Sequence, residues 1–367
     1  MRLAVVTNDY PPKAGGIQQY LGSLVAAYPD EVLVLAPADR TSTESAVGKG
    51  DGPTTGPTTV IRHDRRFLVP TRPVTDWVGG HLAAFRPDAV LIGAPTPLGG
   101  LIAPLQQRLD VPVGVLAHGA EVTLPAAVPG PRSVLRRWLA AADARFAVSR
   151  YTATNVSRLS GAATTYIGAG VDLDVFAASP PPDRTVPLVG CVSRFVPRKG
   201  QDRVIDAVAR LRAEGIDCEL MLVGTGRTEA SLRRHAARRG VPVRFEVDVA
   251  WSDLPGLYAE MDVFCMPCRS RWGGLEVEGL GLVFLEAAAV GRPVIAGDSG
   301  GSPETVDPGG TGYVVHDVDD IVEALRILLT DATVRHQMGR AGRHRVEAEF
   351  TWRHAVERLV SGFTAAG

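Results

Sequence analysis

Hydrophobic positions along the chain alternate between short β-branched runs and longer stretches with helical spacing, separated by turns that carry glycine or proline. In the first half this pattern predicts strands over 3–7, 31–36, 59–62, 89–92, 113–117, 145–148 and 165–167. Helical stretches such as 17–27, 73–85 and 133–142 fall between them. Strand then helix, repeated, implies a parallel sheet covered on both faces. Residues 41–58, rich in Gly, Ser, Thr and Pro, have little to bury and read as a mobile loop. The run Pro180-Pro181-Pro182-Asp183 reads as a stiff linker, after which the pattern starts again. Strands are expected over 187–193, 219–223, 243–247, 263–266, 293–296 and 313–315. Helices are expected near 201–214, 228–239, 252–259, 282–290, 318–329 and 332–348.

The chain therefore reads as two α/β domains, 1–180 and 186–350, with a last helix within 351–367 expected to pack back on the first. Ligands of such sheets bind beyond the carboxyl ends of the strands, so the loops after each strand should line a cleft between the domains.

One stretch combines several chemical signals. In Arg271 to Glu286, two carboxylates are joined through a glycine-rich turn that leads into an apolar helix. Gly279 and Gly281 argue against a continuous helix, which puts Glu278 on the turn and Glu286 inside the helix. Unpaired N–H groups near Gly281, Leu282 and Val283 suit a phosphate. A carboxylate on the turn can meet sugar hydroxyls, and one inside the helix can accept from a ribose. Sugar, diphosphate and ribose in line describe a nucleotide-sugar; the plain alternative is two solvated glutamates at a helix start.

Other strand-end loops point the same way. Asn8 to Ile17 contains Gly15-Gly16, which either lets backbone approach a phosphate or simply makes a tight turn. Ser193 to Gly200 carries Arg194, Arg198 and Lys199; a fixed guanidinium with a lysine point charge can neutralise a departing diphosphate without a metal. His118-Gly119-Ala120-Glu121 follows a strand, and a histidine there can donate to a sugar hydroxyl or a phosphate. Gly300-Gly301-Ser302-Pro303 reads as a glycine turn opening a helix, lying under a nucleotide or serving only as a helix start.

Composition narrows the classes. The net charge of −1 gives no electrostatic footprint for nucleic acid. No run approaches a membrane span, and the start shows no signal-peptide core, so the expected place is cytoplasmic, with contact to the inner face of the plasma membrane left open. Cys191, Cys218, Cys265 and Cys268 are too few for a disulfide framework, and Cys265-Met266-Pro267-Cys268 lacks the second ligand pair of a structural zinc site.

Taken together these stretches resemble the retaining glycosyltransferases of family four, which have the GT-B fold of two Rossmann-like domains facing a central cleft. Glu278 and Glu286 match the family's two glutamates separated by seven residues, Arg194 and Lys199 its Arg/Lys pair, and Gly15-Gly16 its N-terminal glycine loop. The segments 7–12, 196–202, 276–281 and 300–306 are similar to those of actinobacterial GDP-mannose-dependent phosphatidylinositol monomannoside α-(1-6)-mannosyltransferases. The chain departs from these at Ala120, where close relatives carry a second histidine, at Thr123-Leu124-Pro125, and at Phe245-Glu246-Val247-Asp248 beside the base.

The resemblance implies that Arg194 and Lys199 hold the diphosphate and Glu286 the ribose. It implies further that Glu278 meets the sugar hydroxyls, Gly16 lies on the β-phosphate side and His118 sits by the transferred sugar. Donor contacts would include Gly15, Val247, Gly279, Leu280, Gly281, Leu282 and Val283. The implied donor is GDP-mannose, with no metal or other cofactor expected, and the implied acceptor is a glycolipid at a membrane surface. A family-four transferase using a UDP-sugar on another acceptor is the alternative. Transfer would retain configuration, the departing diphosphate taking the acceptor proton on the same face. No carboxylate in these motifs is placed as a covalent nucleophile.

Asn8, Asp9, Tyr10, Arg62, Arg65 and Arg66 are candidate acceptor or membrane residues. The segments 62–70 and 132–139 interleave cations with apolar residues, which fits a membrane surface or an ordinary solvated face. Three other classes fit parts of the sequence. Val223-Gly224-Thr225-Gly226 hints at a dehydrogenase, but position 229 is Glu where the dinucleotide fingerprint needs its third glycine. Asp172-Leu173-Asp174 would serve a metal-dependent transferase but sits near the linker. A non-enzymatic sugar- or lipid-binding protein would bind without turnover.

Overall fold

The structure, a computed structural model, describes residues 1–13, 15–38 and 56–366. Positions 41–55 of the predicted polar loop and Ala14 of the first glycine loop lie outside the described residues. The chain divides into two compact units: Met1–Gly170 with Trp352–Gly367, and Val171–Thr351.

The first unit is built on parallel strands β1 (Leu3–Val6), β2 (Val32–Pro37), β3 (Thr58–His63), β4 (Ala89–Ile92), β5 (Val113–Ala117), β6 (Ala144–Ala147) and β7 (Thr165–Tyr166). They lie in the order β3-β2-β1-β4-β5-β6-β7. The central strands are apolar at every position because helices cover both faces, so they carry no polar alternation. Helices Arg72–Phe85 and Pro129–Ala141 present Val74, Val78, Leu82, Leu135 and Leu139 to Val6, Ile92 and Val115. The C-terminal helix Trp352–Thr364 belongs to this unit. Its Phe363 meets Phe146 at 4.9 Å between ring centroids and Trp352 meets Tyr20 at 5.1 Å. Gly114 on β5 admits this helix, since a Cβ there would stand 2.7 Å from the Phe363 ring. Full burial of such a ring is worth roughly 1.5–3 kcal/mol, enough to hold the chain end in place.

The second unit repeats the plan with β8 (Leu188–Val192), β9 (Glu219–Val223), β10 (Val243–Glu246), β11 (Val263–Met266), β12 (Val294–Gly297) and β13 (Gly312–Val315). Their order is β10-β9-β8-β11-β12-β13, again all parallel. The boundary between units falls earlier than the proline run, for a bonding reason. Val171 N–H donates to Phe350 O at 2.9 Å, Arg343 Nη1 to Phe176 O at 2.8 Å and Arg292 Nη2 to Pro180 O at 2.8 Å. These contacts tie the stretch ahead of the prolines to the second unit.

Strand order reverses at β1/β4 in the first unit and at β8/β11 in the second, and the loops beyond those carboxyl ends are where such sheets bind ligands. One local expectation changes: Ser302–Thr305 is a single 3-10 turn rather than the start of a helix. Its serine hydroxyl donates back to Gly297 O at 2.5 Å and Ser299 O at 2.7 Å, which folds the turn onto the preceding loop. All four cysteines are buried and unpaired. Among the described residues no helix is long and apolar enough to cross a membrane, and no group of three His, Cys, Asp or Glu side chains is arranged to hold a metal.

Candidate active site

The loops after β8 and β11 meet in one charged cluster. Beyond β8, Val196 leads into the 3-10 turn Pro197–Lys199, and Gly200 follows in a left-handed conformation with φ 78°. A Cβ at Gly200 would stand 2.3 Å from Pro267 O, so only glycine lets the two loops approach this closely. The approach carries Lys199 and Arg198 to Glu278. Lys199 Nζ lies 2.6 Å and Arg198 Nη1 2.5 Å from the same oxygen, Glu278 Oε2. Arg198 also lies 3.8 Å from Glu276, which pairs with Arg271 at 3.0 Å.

Burial alone would raise the Glu278 carboxyl, but the charges of Lys199 and Arg198 outweigh it and hold the group at about 2. Glu278 is therefore ionised at neutral pH and can only accept hydrogen bonds. Oε1 has no hydrogen-bond partner among the described residues. Its backbone is strapped by the neighbouring loop: Glu278 N–H donates to Ser299 Oγ at 3.2 Å and Gly301 N–H to Glu278 O at 3.0 Å. The cluster thus explains the Gly300-Gly301-Ser302 turn as a support for Glu278.

Arg194 differs from its neighbours. It is exposed, and its guanidinium makes no hydrogen bond or ion pair among the described residues. Lys199 and Arg198 share one carboxylate oxygen, while Arg194 carries a charge that no described residue offsets. Arg198, which the sequence places on the basic loop without a site role of its own, is the second cation on Glu278.

Gly281 takes φ 91° and opens the helix Leu282–Ala289, whose first turn has no side-chain cap. A Cβ at Gly281 would stand 2.6 Å from the Phe284 ring, so the turn needs glycine both for its angle and for space. Gly279, Leu282 and Val283 are half-buried at this turn, while Leu280 is buried. Inside the helix Glu286 is buried and accepts from the Tyr258 hydroxyl at 2.7 Å. Burial pushes its carboxyl up to about 7, against the Tyr258 hydrogen bond, which pulls it down. The two glutamates thus have opposed environments, one held ionised by cations and one poised near neutrality. Tyr258 has no sequence signal beyond its place in the helix expected near 252–259, because its partner lies 28 residues away.

Val247, just after β10, is 37% exposed, and Asp248 beside it takes φ 53°. Gly224 and Gly226 seat the β9 loop under the β8 loop, since a Cβ at either would stand 2.1 or 2.4 Å from Ser193 O or Phe195 O. Close loop packing accounts for this glycine pair.

In the first unit, Gly15 caps the helix Gly16–Ala26 with φ 155°, and the space at Gly16 where a side chain would start is open. Asn8 is committed to structure: its amide donates to Leu68 O at 2.9 Å and accepts from Leu68 N at 2.7 Å. Asp9 accepts from Gln18 at 2.6 Å and pairs with Lys13 at 3.2 Å. Arg62 donates to Pro37 O at 3.1 Å and Pro11 O at 2.5 Å. Burial pushes the Tyr10 phenol up to about 12, against the pull of the Arg62 charge.

His118 follows β5 and is buried, with Nε2 2.9 Å from Gly93 O and its ring edge-on to Tyr20 at 5.3 Å. A carbonyl only accepts, so Nε2 carries the proton and a neutral ring keeps Nδ1 as an acceptor. The Glu121 carboxylate takes the N–H groups of both His118 and Gly119, which fixes the turn.

Of the basic-apolar segments, Arg65, Arg66 and Phe67 are exposed, Phe67 at 49%. On the helix Pro129–Ala141, Leu135 and Leu139 face the core while Arg132, Arg136 and Arg137 face solvent. Leu124 and Val128 just ahead of it are exposed at 45% and 52%.

Residues 14–175 match the family model for Glycosyltransferase Family 4, and 175–345 match that for Glycosyl transferases group 1. A GDP-mannose-dependent monoacylated alpha-(1-6)-phosphatidylinositol monomannoside mannosyltransferase of Corynebacterium glutamicum is 39% identical over 97% of this chain and 96% of its own. A GDP-mannose-dependent alpha-(1-6)-phosphatidylinositol monomannoside mannosyltransferase of Mycolicibacterium smegmatis is 39% identical over 97% of each. Among solved structures, a sucrose-phosphate synthase from Thermosynechococcus elongatus superposes with a TM-score of 0.80 at 23% identity over the whole of both chains. Anabaena HepE in complex with UDP gives 0.80 at 19% over the whole of both. The fold is therefore GT-B, made of two Rossmann-like units.

Proposed function

The chain belongs to the family-four glycosyltransferases, and from that premise we propose that it transfers mannose from GDP-mannose to a glycolipid of the phosphatidylinositol monomannoside type, with retention of configuration. The relatives that match it end to end carry that donor and acceptor in their names. The observation that carries the chemistry is the basic loop after β8, where Lys199 and Arg198 hold one ionised carboxylate beside an uncapped helix start while Arg194 stays exposed and unpaired among the described residues.

In the proposed reaction the bond between the sugar and the diphosphate breaks and negative charge grows on the leaving group. Arg194 and Lys199, with the N–H groups near Leu282 and Val283, neutralise that charge. Glu278 accepts from the sugar hydroxyls through the oxygen its cations leave open. Glu286, once ionised, accepts from the ribose. His118, oriented by Gly93 and the Glu121-braced turn, contacts the transferred sugar. The acceptor hydroxyl oxygen bonds to the sugar's anomeric carbon on the face the diphosphate leaves, and the departing diphosphate takes that hydroxyl's proton, so no protein nucleophile and no metal ion is required. The first unit supplies the acceptor side, and its exposed Phe67 next to Arg65 and Arg66, with the exposed Leu124 and Val128 ahead of Arg132, suits peripheral contact with an anionic inner-membrane surface.

The test is to incubate the purified protein with GDP-, UDP- and ADP-sugars and a membrane lipid extract, following nucleotide release and labelled lipid. The proposal expects release from GDP-mannose coupled to a mannosylated phosphatidylinositol mannoside. Turnover with UDP-sugars and no lipid product overturns it in favour of a family-four transferase with another donor and acceptor.

A further inference from the structure

At the carboxyl end of the helix that carries Glu286, the second unit holds a pocket of about 230 Å³ lined by an excess of cations. The size is below the roughly 300–1,000 Å³ of sites for larger ligands and suits a small one. Arg292, Arg340 and Arg343 line it together with His336 and His344, and Glu347 is the only carboxylate in the lining.

That carboxylate is engaged, since Glu347 pairs with Arg343 at 2.6 Å. Arg292 is 2% exposed, and its guanidinium donates to the carbonyls of Tyr258, Ala259 and Pro180 at 3.3, 2.9 and 2.8 Å. Carbonyl partners satisfy its hydrogens, and no carboxylate lies at ion-pair distance among the described residues; the buried Asp262, which also faces Arg335, offsets part of its charge from farther off. A buried charge with only a distant, shared counter-ion is costly.

His336, Arg340 and His344 recur every fourth residue on the helix Ala332–Glu349, so all three project from one side. None of the three has a side-chain hydrogen bond or ion pair among the described residues. Burial, and next the charges of Arg335 and Arg340, hold the His336 imidazole below its ordinary range. Asp262 opposes these charges, and the net direction is the one expected beside an excess of cations.

We propose that this pocket binds a small phosphate-bearing anion, inorganic phosphate or a phosphomonoester, separately from the donor residues at the other end of the Leu282–Ala289 helix. Arg340 and His344 grip the anion from the exposed side, and Arg292 supplies the buried positive charge beneath it. The pocket shares a wall with the donor side without containing it, because Arg292 holds the backbone of Tyr258, whose hydroxyl holds Glu286.

The test is calorimetric titration of the full chain with inorganic phosphate, and separately with glycerol phosphate as a headgroup-like monoester, both with saturating GDP present to occupy the donor residues. The expected result is binding that persists under GDP and weakens at least tenfold in Arg340→Ala and in His344→Ala. Both positions are exposed, so the fold should survive the changes; Arg340→Lys should restore most of the affinity. Preference for one probe tells free phosphate from a headgroup. No binding under GDP, or binding that those substitutions leave unchanged while Arg194→Ala removes it, overturns the assignment.

Discussion

Replacing Glu286 by Gln should stabilise the donor-free protein while weakening its grip on the donor. The carboxyl is buried, and its pKa is raised from the ordinary 4.5 to about 7, mainly by that burial. At 1.36 kcal/mol per pH unit, the distance between those values comes to about 3 kcal/mol. The sign follows from a folded pKa above the unfolded one. The acid's contribution is fully present below 4.5 and is lost as pH rises through about 7. Gln keeps an oxygen for the Tyr258 hydroxyl and has no charge to bury, so it escapes that loss. Urea unfolding of both proteins from about pH 5 to about pH 8 should show the Gln variant gaining on the parent by up to about 3 kcal/mol. The same variant should show a raised KM for the donor, because an amide cannot accept from two ribose hydroxyls as a carboxylate does. A stability difference independent of pH would refute the reasoning, since Glu286 would then ionise as easily folded as unfolded.

Three further substitutions separate charge from structure. Arg194→Ala should leave the melting temperature within the small range of surface changes, yet lower kcat by about 10²–10³, as read by steady-state kinetics. Glu278→Gln should destabilise at neutral pH by roughly 3–5 kcal/mol, because it leaves Lys199 and Arg198 without their shared carboxylate. The folded carboxyl is depressed to about 2, so that penalty should fade as pH drops below its ordinary 4.5 towards 2; denaturant midpoints across this range check it. Tyr258→Phe removes the one hydrogen bond that pulls the Glu286 carboxyl down, so the rise in donor KM on acidification should begin at a higher pH than in the parent.

The strands were legible because parallel strands covered on both faces are written as unbroken apolar runs, and the loops followed from where those runs ended. Glu278 on a turn and Glu286 inside a helix could be read from Gly279 and Gly281, which no continuous helix would carry. The partners of those acids could not. Tyr258 reaches Glu286 from a separate helix, and Arg198 joins Glu278 across 80 residues, so neither pairing leaves a local pattern. Asn8 stands in a loop that looks functional, yet its amide is spent on the backbone of Leu68, 60 residues on. The Ser302 turn looked like a helix start because serine and proline favour one. The hydroxyl instead bonds backwards and the chain goes extended at Val306.

A structure of the protein soaked with GDP-mannose tests the central claim most directly. The account predicts the diphosphate against Arg194, Lys199 and the first N–H groups of the Leu282–Ala289 helix, with the ribose on Glu286 and a sugar hydroxyl on Glu278. A diphosphate lodged away from both the basic loop and that helix would contradict it.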